Sequence, residues 1–389
     1  MHTTMYNSKS LSPQGFTTQS NISTGTKSNK PQFLIIGEKP NANNNANSSS
    51  GSTITARITD YGARLAAVTV PDRDGNPTNV LLGMPTAADY MHDDSCLGAI
   101  IGRNANRIAK AQFVIDGITY TMAANEGVNN AHSGPNGFEQ RLWQVSEQTA
   151  HHVTLALDSP DGDQGFPGHM HVQATYAVHN NVLSLDITAD CDHPTIANMT
   201  NHAYWNLNGE NSGDILDQAL MIPTEQFCPI DNEAIPLQHA SVDNTAMDFR
   251  TPRRIGDAMQ LGRNAGDLQI DIARGYNHAF VFEDAHGLVS GASPSDAVTG
   301  MRTVAVAASE RTGITMTQRA NTPAVLFYSA GFMDGITGTS GHTYHPYAGF
   351  ALEPGFVPNA INDPSEISPE LAAGKRYHLR IEWHFDIQR

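Results

Sequence analysis

The sequence has few cysteines, few cationic side chains and no long apolar run, and each shortage excludes a class of protein. Its three cysteines, Cys96, Cys191 and Cys228, cannot all pair and lack metal-ligand spacing, so we expect free thiols in a reducing compartment. Lys and Arg number 23 against 39 Asp and Glu, with no basic block, so neither nucleic acid nor a membrane is an expected partner. No stretch approaches the ~20 apolar residues of a membrane span, and the first residues do not form a secretion signal. We therefore expect a cytoplasmic protein, either a monomer or a homodimer.

Glycine and proline, by contrast, are abundant, with 33 and 21 residues, as a chain with many turns requires. Residues 1–31 are rich in Ser, Thr, Asn and Gln and predict a mobile tail, because they offer little apolar surface to bury. Residues 41–52 predict a flexible connection, and residues 283–301 predict a surface loop. Residues 32–389 are expected to form one domain.

Apolar residues recur at every second position along most of the chain, which is typical of half-buried strands. Strand-like segments of this kind include Phe33–Ile36, Ile54–Ile58, Leu183–Ile187 and Tyr377–Phe385. Asp116-Gly117 lies between two apolar runs and predicts a hairpin. Helical spacing is scarce, and only residues 251–260 and 364–373 are expected to form a turn or two of helix. The pattern predicts an all-β fold of large antiparallel sheets packed face to face, with a few short helices.

One histidine, His202, lies in the polar and aromatic segment Asn198–Asn208, directly before the pair Tyr204-Trp205. Imidazole titrates near neutrality, so such a side chain can give or take a proton at physiological pH. A lone histidine at a strand end is more often a structural residue satisfied by its neighbours. A catalytic role for His202 therefore depends on the rest of the chain.

Four further segments combine residues that bind ligands or transfer protons: Gly102–Ile108, Ala131–Phe138, Gly275–Phe280 and Leu352–Asn362. The first holds two arginines and two asparagines, although a polar strand edge would have the same composition. The second places His132 in a glycine-rich turn, where the backbone can approach a ligand closely. In the fourth, an apolar run ends at Glu353. A glutamate at such a boundary can also be an ordinary solvated surface residue.

Taken in order and spacing, these five segments resemble the hallmark motifs of the aldose 1-epimerases, the galactose mutarotase family. Shorter matches lie between them at Tyr61–Ala63, Gly165–Gly168 and Met247–Arg250, so the resemblance runs from about Ile54 to the C-terminus. Any one motif would be weak evidence, but five in series are specific. The resemblance implies a galactose mutarotase-like β-sandwich with a sugar-binding groove on one face.

The resemblance also implies roles for individual residues. His202 would be the general acid that protonates the ring oxygen of a free aldohexose such as glucose or galactose, and Glu353 the general base that deprotonates its anomeric hydroxyl. His132 would assist near the ring oxygen, and Asn106 and Arg107 would bind sugar hydroxyls. Ring opening needs one proton delivered and one removed, so no cofactor and no metal are expected.

The sequence departs from the family pattern at positions expected to bind sugar hydroxyls. Asn277 stands where the family has aspartate, and Leu326 where it has glutamine. Pro354-Gly355 follows the glutamate in place of Thr-Gln. An amide accepts at one oxygen only and a leucine cannot hydrogen-bond at all, so we expect catalysis to be retained and sugar binding to be weakened.

Three other functions fit the sequence less well. An epimerase of a phosphorylated hexose would need an arginine cluster, and only Gly102–Arg107 is basic here. A non-catalytic carbohydrate-binding protein would have no need of His132, His202 and Glu353 together. A glycoside hydrolase would need two carboxylates flanking the scissile bond, whereas the motifs place only Glu353.

Overall fold

Most of the strands predicted from alternating apolar residues are present in a computed structural model, which describes residues 30–37, 54–282 and 300–388. The predicted tail and the predicted loop 283–301 lie almost entirely outside the described residues, and the connection 41–52 lies wholly outside them. The unit considered below spans Pro31–Arg389.

In chain order, the first fifteen strands are β1 (Phe33–Ile36), β2 (Thr55–Thr59), β3 (Arg64–Pro71), β4 (Pro77–Asn79), β5 (Ile100–Ile101), β6 (Arg107–Ile108), β7 (Gln112–Ile115), β8 (Ile118–Thr121), β9 (Asn130–Ala131), β10 (Gln144–Gln148), β11 (His152–Ser159), β12 (Met170–His179), β13 (Val182–Cys191), β14 (Thr195–Ile196) and β15 (Thr200–Asn201). The remaining strands are β16 (Tyr204–Trp205), β17 (Ala219–Met221), β18 (Gln226–Phe227), β19 (Ala240–Ser241), β20 (Arg253–Arg254), β21 (Asn277–Val281), β22 (Arg302–Ala308), β23 (Ile314–Ala320), β24 (Ala324–Tyr328), β25 (Ile336–Thr337), β26 (Thr343–Tyr344), β27 (Phe350–Gly355), β28 (Glu370–Leu371) and β29 (Arg376–Ile387). The α-helices of the described residues are α1 (Ile255–Ala265) and α2 (Leu268–Ile272), and short 3-10 turns lie at Asp89–His92, Ala109–Ala111, Phe138–Gln140, Asp163–Gly165 and Ala360–Asn362.

Two large sheets contain most of these strands. One has nine strands in the order β10-β11-β12-β13-β29-β23-β22-β17-β20, and the other has six in the order β16-β27-β24-β21-β18-β19. Neighbouring strands within both sheets are antiparallel. A four-stranded sheet, β1-β2-β3-β4, adds its apolar residues to the same core. The predicted all-β architecture of large antiparallel sheets is therefore confirmed.

The two large sheets pack against each other through aromatic and aliphatic side chains. Trp205 of the six-stranded sheet lies 5.6 Å from Trp383 of the nine-stranded sheet, measured between ring centroids. The amide of Gln318 crosses the same boundary and donates to the carbonyl oxygen of Leu352 at 3.1 Å. Each residue at this boundary is almost completely buried. The inner face of the six-stranded sheet thus packs in the core, and a functional site can lie only on its outer face.

Several local predictions are confirmed by the register of the strands. The hairpin at Asp116-Gly117 joins β7 to β8, and β1 pairs with β2 as an antiparallel neighbour. The C-terminal alternation lies in β29, at the centre of the nine-stranded sheet. No helix of the described residues is long and apolar enough to cross a membrane.

The helix predictions were only half right. Residues 251–260 overlap α1, which begins later, at Ile255, and ends at a left-handed Gly266. The prediction of helix at 364–373 is wrong, because that segment is a loop leading into β28, which pairs with β14. Pro364 and Pro369 supply no backbone N–H, and their rings disfavour helix in the preceding turn.

One of the two arginines in the Gly102–Ile108 segment is structural. Arg103 is 1% exposed, and its guanidinium donates to the carbonyl oxygens of Ser159, Pro167 and Gly168, each at 2.8 Å. The carbonyl of Ser159 lies at the end of β11, and those of Pro167 and Gly168 lie in the loop between β11 and β12. Arg103 therefore holds the loop between β11 and β12 against the end of β11.

Replacement of Arg103 by methionine should lower the free energy of unfolding by about 3 kcal/mol or more, because several buried carbonyls would lose their donor. Urea denaturation followed by circular dichroism measures this. Arg311→Met is the control, since that side chain is 54% exposed and its ion pair with Asp217 should contribute about 1 kcal/mol at most. Equal stability losses in the two variants would contradict the structural role.

Candidate active site

Glu353 lies on the outer face of the six-stranded sheet because of the alternation along β27. Phe350 and Leu352 point into the core between the sheets, and Glu353 points to the opposite face. Its cross-strand neighbour on β24 is Leu326, so the side chain directly opposite the carboxylate on that strand is apolar. Glu353 is only 5% exposed.

His202 lies opposite Glu353, in the residues that lead into β16. Tyr204 pairs with Ala351, and continuing this register by two residues brings His202 level with Glu353. The Nε2 atom of His202 is 3.5 Å from Oε1 of Glu353. The backbone of His202 is fixed at both ends, since its N–H donates to the carbonyl of Ala99 and its carbonyl accepts from Gly98. The pair predicted from the sequence is therefore brought together.

Burial opposes the charged form of both groups in this pair. It raises the pKa of Glu353 to about 8, an effect partly offset by the positive charge of Arg107. It lowers the pKa of His202 to about 4, and the charge of Arg64 adds to that effect. At pH 7 and without a ligand, the pair therefore holds one proton, on Glu353, and is electrically neutral.

His132 contributes a second buried imidazole beside the first. The two rings lie 5.5 Å apart in an edge-on arrangement. The backbone N–H of Asn106 donates to Nδ1 of His132 at 3.3 Å, which leaves the ring proton on Nε2. Burial, with the neighbouring His202 and Arg107, holds the pKa of His132 well below its usual range. His132 is thus a neutral hydrogen-bond donor.

Arg107 and Asn106 form the polar wall of the site. Asn106 has a left-handed backbone, with φ of 60°, and its side-chain oxygen accepts from the backbone N–H of Arg107 at 2.9 Å. The guanidinium of Arg107 is held by Glu126, with Nη2 donating to Oε1 at 2.8 Å. The ion pair fixes the orientation of the guanidinium, so that it faces the cavity as a hydrogen-bond donor in a defined position.

These side chains surround a cavity of about 640 Å³, a volume typical of sites for small molecules. Of the residues predicted from the sequence, six line it: His132, His202, Glu353, Asn106, Arg107 and Asn277. Leu326 does not line the cavity, although its side chain lies beside Glu353 on the same face of the sheet and is 8% exposed. Its influence on the site therefore acts through Glu353.

The sequence analysis missed the aromatic wall of the cavity. The ring of Tyr204 lies 4.9 Å from that of His202 and 6.0 Å from that of Tyr328. Phe332 lines the mouth of the cavity and is 53% exposed. Tyr204 could have been found, because it follows His202 by two residues and shares its face. Tyr328 could have been found in the same way, because it follows Leu326 by two residues in β24.

Acidic side chains are also concentrated in the lining. Asp94, Glu126 and Glu233 lie in it with Glu353, and among the described residues Arg107 is the one cationic side chain in the lining. Arg107 is already paired with Glu126. The cavity is thus suited to a neutral, hydroxyl-rich ligand.

Comparison with known proteins identifies relatives over most of the chain. The family model described as aldose 1-epimerase matches residues 48–384. An aldose 1-epimerase of Escherichia coli K12 is 35% identical over 332 residues, which cover 84% of this chain and 91% of that protein. A galactose mutarotase of Homo sapiens is 32% identical, covering 85% of this chain and 90% of that protein.

Solved structures show the same fold. A GalM/aldose epimerase homologue from C. elegans superimposes with a TM-score of 0.77 at 28% identity, covering 92% of this chain and 100% of that one. A galactose 1-epimerase from Lactobacillus acidophilus NCFM gives a TM-score of 0.72 at 24% identity, covering 92% and 99%. The second supports the fold alone.

The burial of Glu353 predicts a pH-dependent stability difference between the protein and its Glu353→Gln variant. The pKa of Glu353 is raised above its value in the unfolded chain, so its protonated form is favoured by folding, and that contribution is lost as pH rises from about 4.5 to about 8. The free energy of unfolding of the variant should equal that of the wild type near pH 4. At pH 9 it should be larger by between about 1 and 5 kcal/mol, at 1.36 kcal/mol per pKa unit.

Urea denaturation at pH 4, 7 and 9 measures the difference. Glu147→Gln is the matched control, because the side chain of Glu147 is 62% exposed and should show little change with pH. A Glu353→Gln variant that is less stable than the wild type at pH 9 would show that the carboxylate is ionised and satisfied in the fold.

Proposed function

The chain belongs to the aldose 1-epimerase family, an isomerase family that interconverts the anomers of aldoses, and we propose that His202 and Glu353 carry out this reaction here. The observation that carries the proposal is their approach to 3.5 Å, both buried, in the lining of a cavity of about 640 Å³. Free aldohexoses, with glucose and galactose first, are the proposed substrates. Residues 32–389 are the proposed catalytic domain.

The distance between the two groups leaves them open to a substrate. At 3.5 Å, a carboxylic acid and an imidazole nitrogen are too far apart for a good O–H···N hydrogen bond. A bound sugar would supply hydrogen-bond partners for both side chains. Its anomeric hydroxyl would contact Glu353, and its ring oxygen would contact His202.

Donation by sugar hydroxyls to the carboxylate favours its ionised form. The proton of the resting pair then moves from Glu353 to His202, with no change in the net charge of the site. The resulting carboxylate and imidazolium are the base and the acid that ring opening requires.

In the proposed reaction the two groups act in concert. Glu353 takes the proton of the anomeric hydroxyl, the electrons of that O–H bond form the aldehyde C=O, the C1–O5 bond breaks, and His202 protonates O5. Rotation about C1–C2 presents the other face of the aldehyde. Reclosure then returns the proton of O5 to His202 and that of Glu353 to the anomeric oxygen, which gives the other anomer and restores the site.

The remaining residues of the wall position the sugar. His132, a neutral donor through Nε2, supports the ring oxygen, where negative charge develops. Asn106 and the Glu126-bound Arg107 bind hydroxyls. Tyr204 and Tyr328 offer flat surfaces to the apolar C–H faces of the ring.

Two observations disfavour the alternatives. An epimerase acting on a phosphorylated hexose would place a dianion among Asp94, Glu126 and Glu233, where repulsion would be strong and Arg107 is already neutralised. A non-catalytic binding protein would gain nothing from burying Glu353, whose ionisation the fold opposes.

The compartment and assembly are proposed from composition. All three cysteines are free in the structure, as expected for the reducing cytoplasm, and we propose a monomer or a homodimer without nucleic acid or membrane partners. The net charge of −16 supports the exclusion of polyanions.

Replacement of either member of the pair should abolish most catalysis and leave the fold intact. Glu353→Gln and His202→Asn should each reduce kcat by about 10²-fold or more, and the double variant should be little worse than either, since the groups act as a unit. Polarimetry of freshly dissolved α-D-glucose and α-D-galactose measures the rate. His345→Asn, at a 72%-exposed position, is the control. A folded single variant with a near-wild-type rate would refute the assignment.

The profile of kcat/KM against pH should be bell-shaped, because the active pair holds one proton. The rate should fall below about pH 4, where both groups are protonated, and above about pH 8, where the proton is lost. Leu326→Gln should shift the alkaline limb to lower pH, because an amide beside Glu353 can donate to its carboxylate.

Leu326→Met is the matched control for that variant and should leave the alkaline limb in place. Rates are compared after subtraction of the buffer-catalysed reaction. An alkaline limb that lies at the same pH in all three proteins would show that Glu353 does not set it.

A further inference from the structure

Three side chains with metal-binding atoms converge at the far edge of the six-stranded sheet. Cys228, His239 and Glu366 place a sulfur, a ring nitrogen and a carboxylate oxygen within 4.8 Å of one another. Cys228 follows β18 and His239 precedes β19, and the register of these paired strands brings the two residues opposite each other. Glu366 reaches them from a turn in which its N–H donates to the carbonyl of Asp363 at 3.1 Å.

The hydrogen bonds of His239 determine which of its nitrogens carries a proton. Nδ1 lies 3.1 Å from the side-chain oxygen of Gln226, which can only accept, so Nδ1 is protonated. In the neutral ring the lone pair is then on Nε2, and Nε2 lies 2.5 Å from Oε1 of Glu366. Two lone pairs at that distance require a cation between them, either a proton or a metal ion.

We propose that Cys228, His239 and Glu366 form a zinc site, with Gln226 as the positioning residue of the histidine. Sulfur, imidazole nitrogen and carboxylate oxygen are the donors that Zn²⁺ prefers, and three protein ligands with a water molecule complete a tetrahedron. A hydrogen bond from the second nitrogen of the histidine is the usual support of such a ligand. The zinc ion takes the place of the proton between His239 and Glu366.

The geometry requires only modest side-chain movement. Zinc–ligand bonds of about 2.0–2.3 Å at tetrahedral angles put ligand atoms roughly 3.3–3.6 Å apart. His239 and Glu366 must separate by about 1 Å from their proton-bridged contact, and their side chains are 30% and 11% exposed. Cys228 is fully buried and fixed by its backbone N–H, which donates to the carbonyl of Ala279 at 2.8 Å.

The site is separate from the catalytic pair. Cys228, Ala279, Leu326 and Glu353 lie side by side on four adjacent strands, three strand spacings or roughly 14 Å from end to end. A zinc ion here would not reach the sugar. It would instead bind the β18–β19 hairpin to the loop after β27, whose Asn359 donates its N–H to the carbonyl of Arg107. The proposed role is to stabilise the segments around the active site.

Cobalt substitution in the full-length protein tests the proposal. After removal of metal by a chelator and dialysis, titration with Co²⁺ should give one equivalent of bound metal. It should also produce the sulfur-to-cobalt charge-transfer band in the near ultraviolet and the intense visible bands of tetrahedral Co²⁺. Zinc should displace the cobalt and raise Tm, because it binds the folded state.

Variants locate the metal. Cys228→Ser should lose the charge-transfer band, and His239→Gln and Gln226→Leu should weaken affinity for Co²⁺ by at least ~10-fold. Cys191→Ser, which alters another buried free thiol, should keep the band. His239→Gln alters a partly exposed side chain and tests the site even if Cys228→Ser fails to fold.

Three results would overturn the proposal. The first is the absence of a charge-transfer band at one equivalent of Co²⁺, and the second is a band that persists in Cys228→Ser or disappears in Cys191→Ser. The third is a His239→Gln variant that binds Co²⁺ as tightly as the wild type. Activity is not the readout, so these results are independent of the acid–base assignment.

Discussion

The active site depends on burying two ionisable groups close together. Water around His202 and Glu353 would restore their ordinary pKa values and ionise the carboxylate at neutral pH. Burial reverses this, with the pKa of Glu353 raised to about 8 and that of His202 lowered to about 4. The resting site therefore stores one proton as a neutral pair, and the ion pair that ring opening needs differs from it only by a proton transfer between neighbours.

This burial is a consequence of the register in the six-stranded sheet. Along β27 the residues alternate between the core and the site, so the packing of Phe350 and Leu352 fixes the direction of Glu353. Opposite them, Trp205 packs on the core side and Tyr204 on the site side. A slip of one residue would exchange the two faces and bury an unpaired carboxylate in the core. The same contacts that stabilise the sandwich thus position the catalytic groups.

Local alternation was sufficient for the strands. The resemblance of five segments to family motifs singled out His202 and Glu353, which the structure places 3.5 Å apart. Composition alone did not distinguish Arg103, buried in the structure, from Arg107 in the cavity wall, since the two differ in long-range partners; only the family resemblance assigned Arg107 to the sugar. Sequence patterns also gave no sign of Glu126 as the partner of Arg107. The prolines at 364 and 369 were present in the segment wrongly predicted as helix, and they should have counted against it.

A buried ion pair adds to the effect of burial that keeps His202 neutral. Arg64 and Asp93 form an ion pair that is almost fully buried, and the positive charge of Arg64 lowers the pKa of His202 further than burial alone. Arg64 also donates to the carbonyl of Leu97, so it orders the loop that forms one wall of the cavity. Removing that charge would therefore change both the shape of the wall and the proton affinity of His202. Burial accounts for most of the lowered pKa of His202, and Arg64, a residue outside the cavity lining, adds to it.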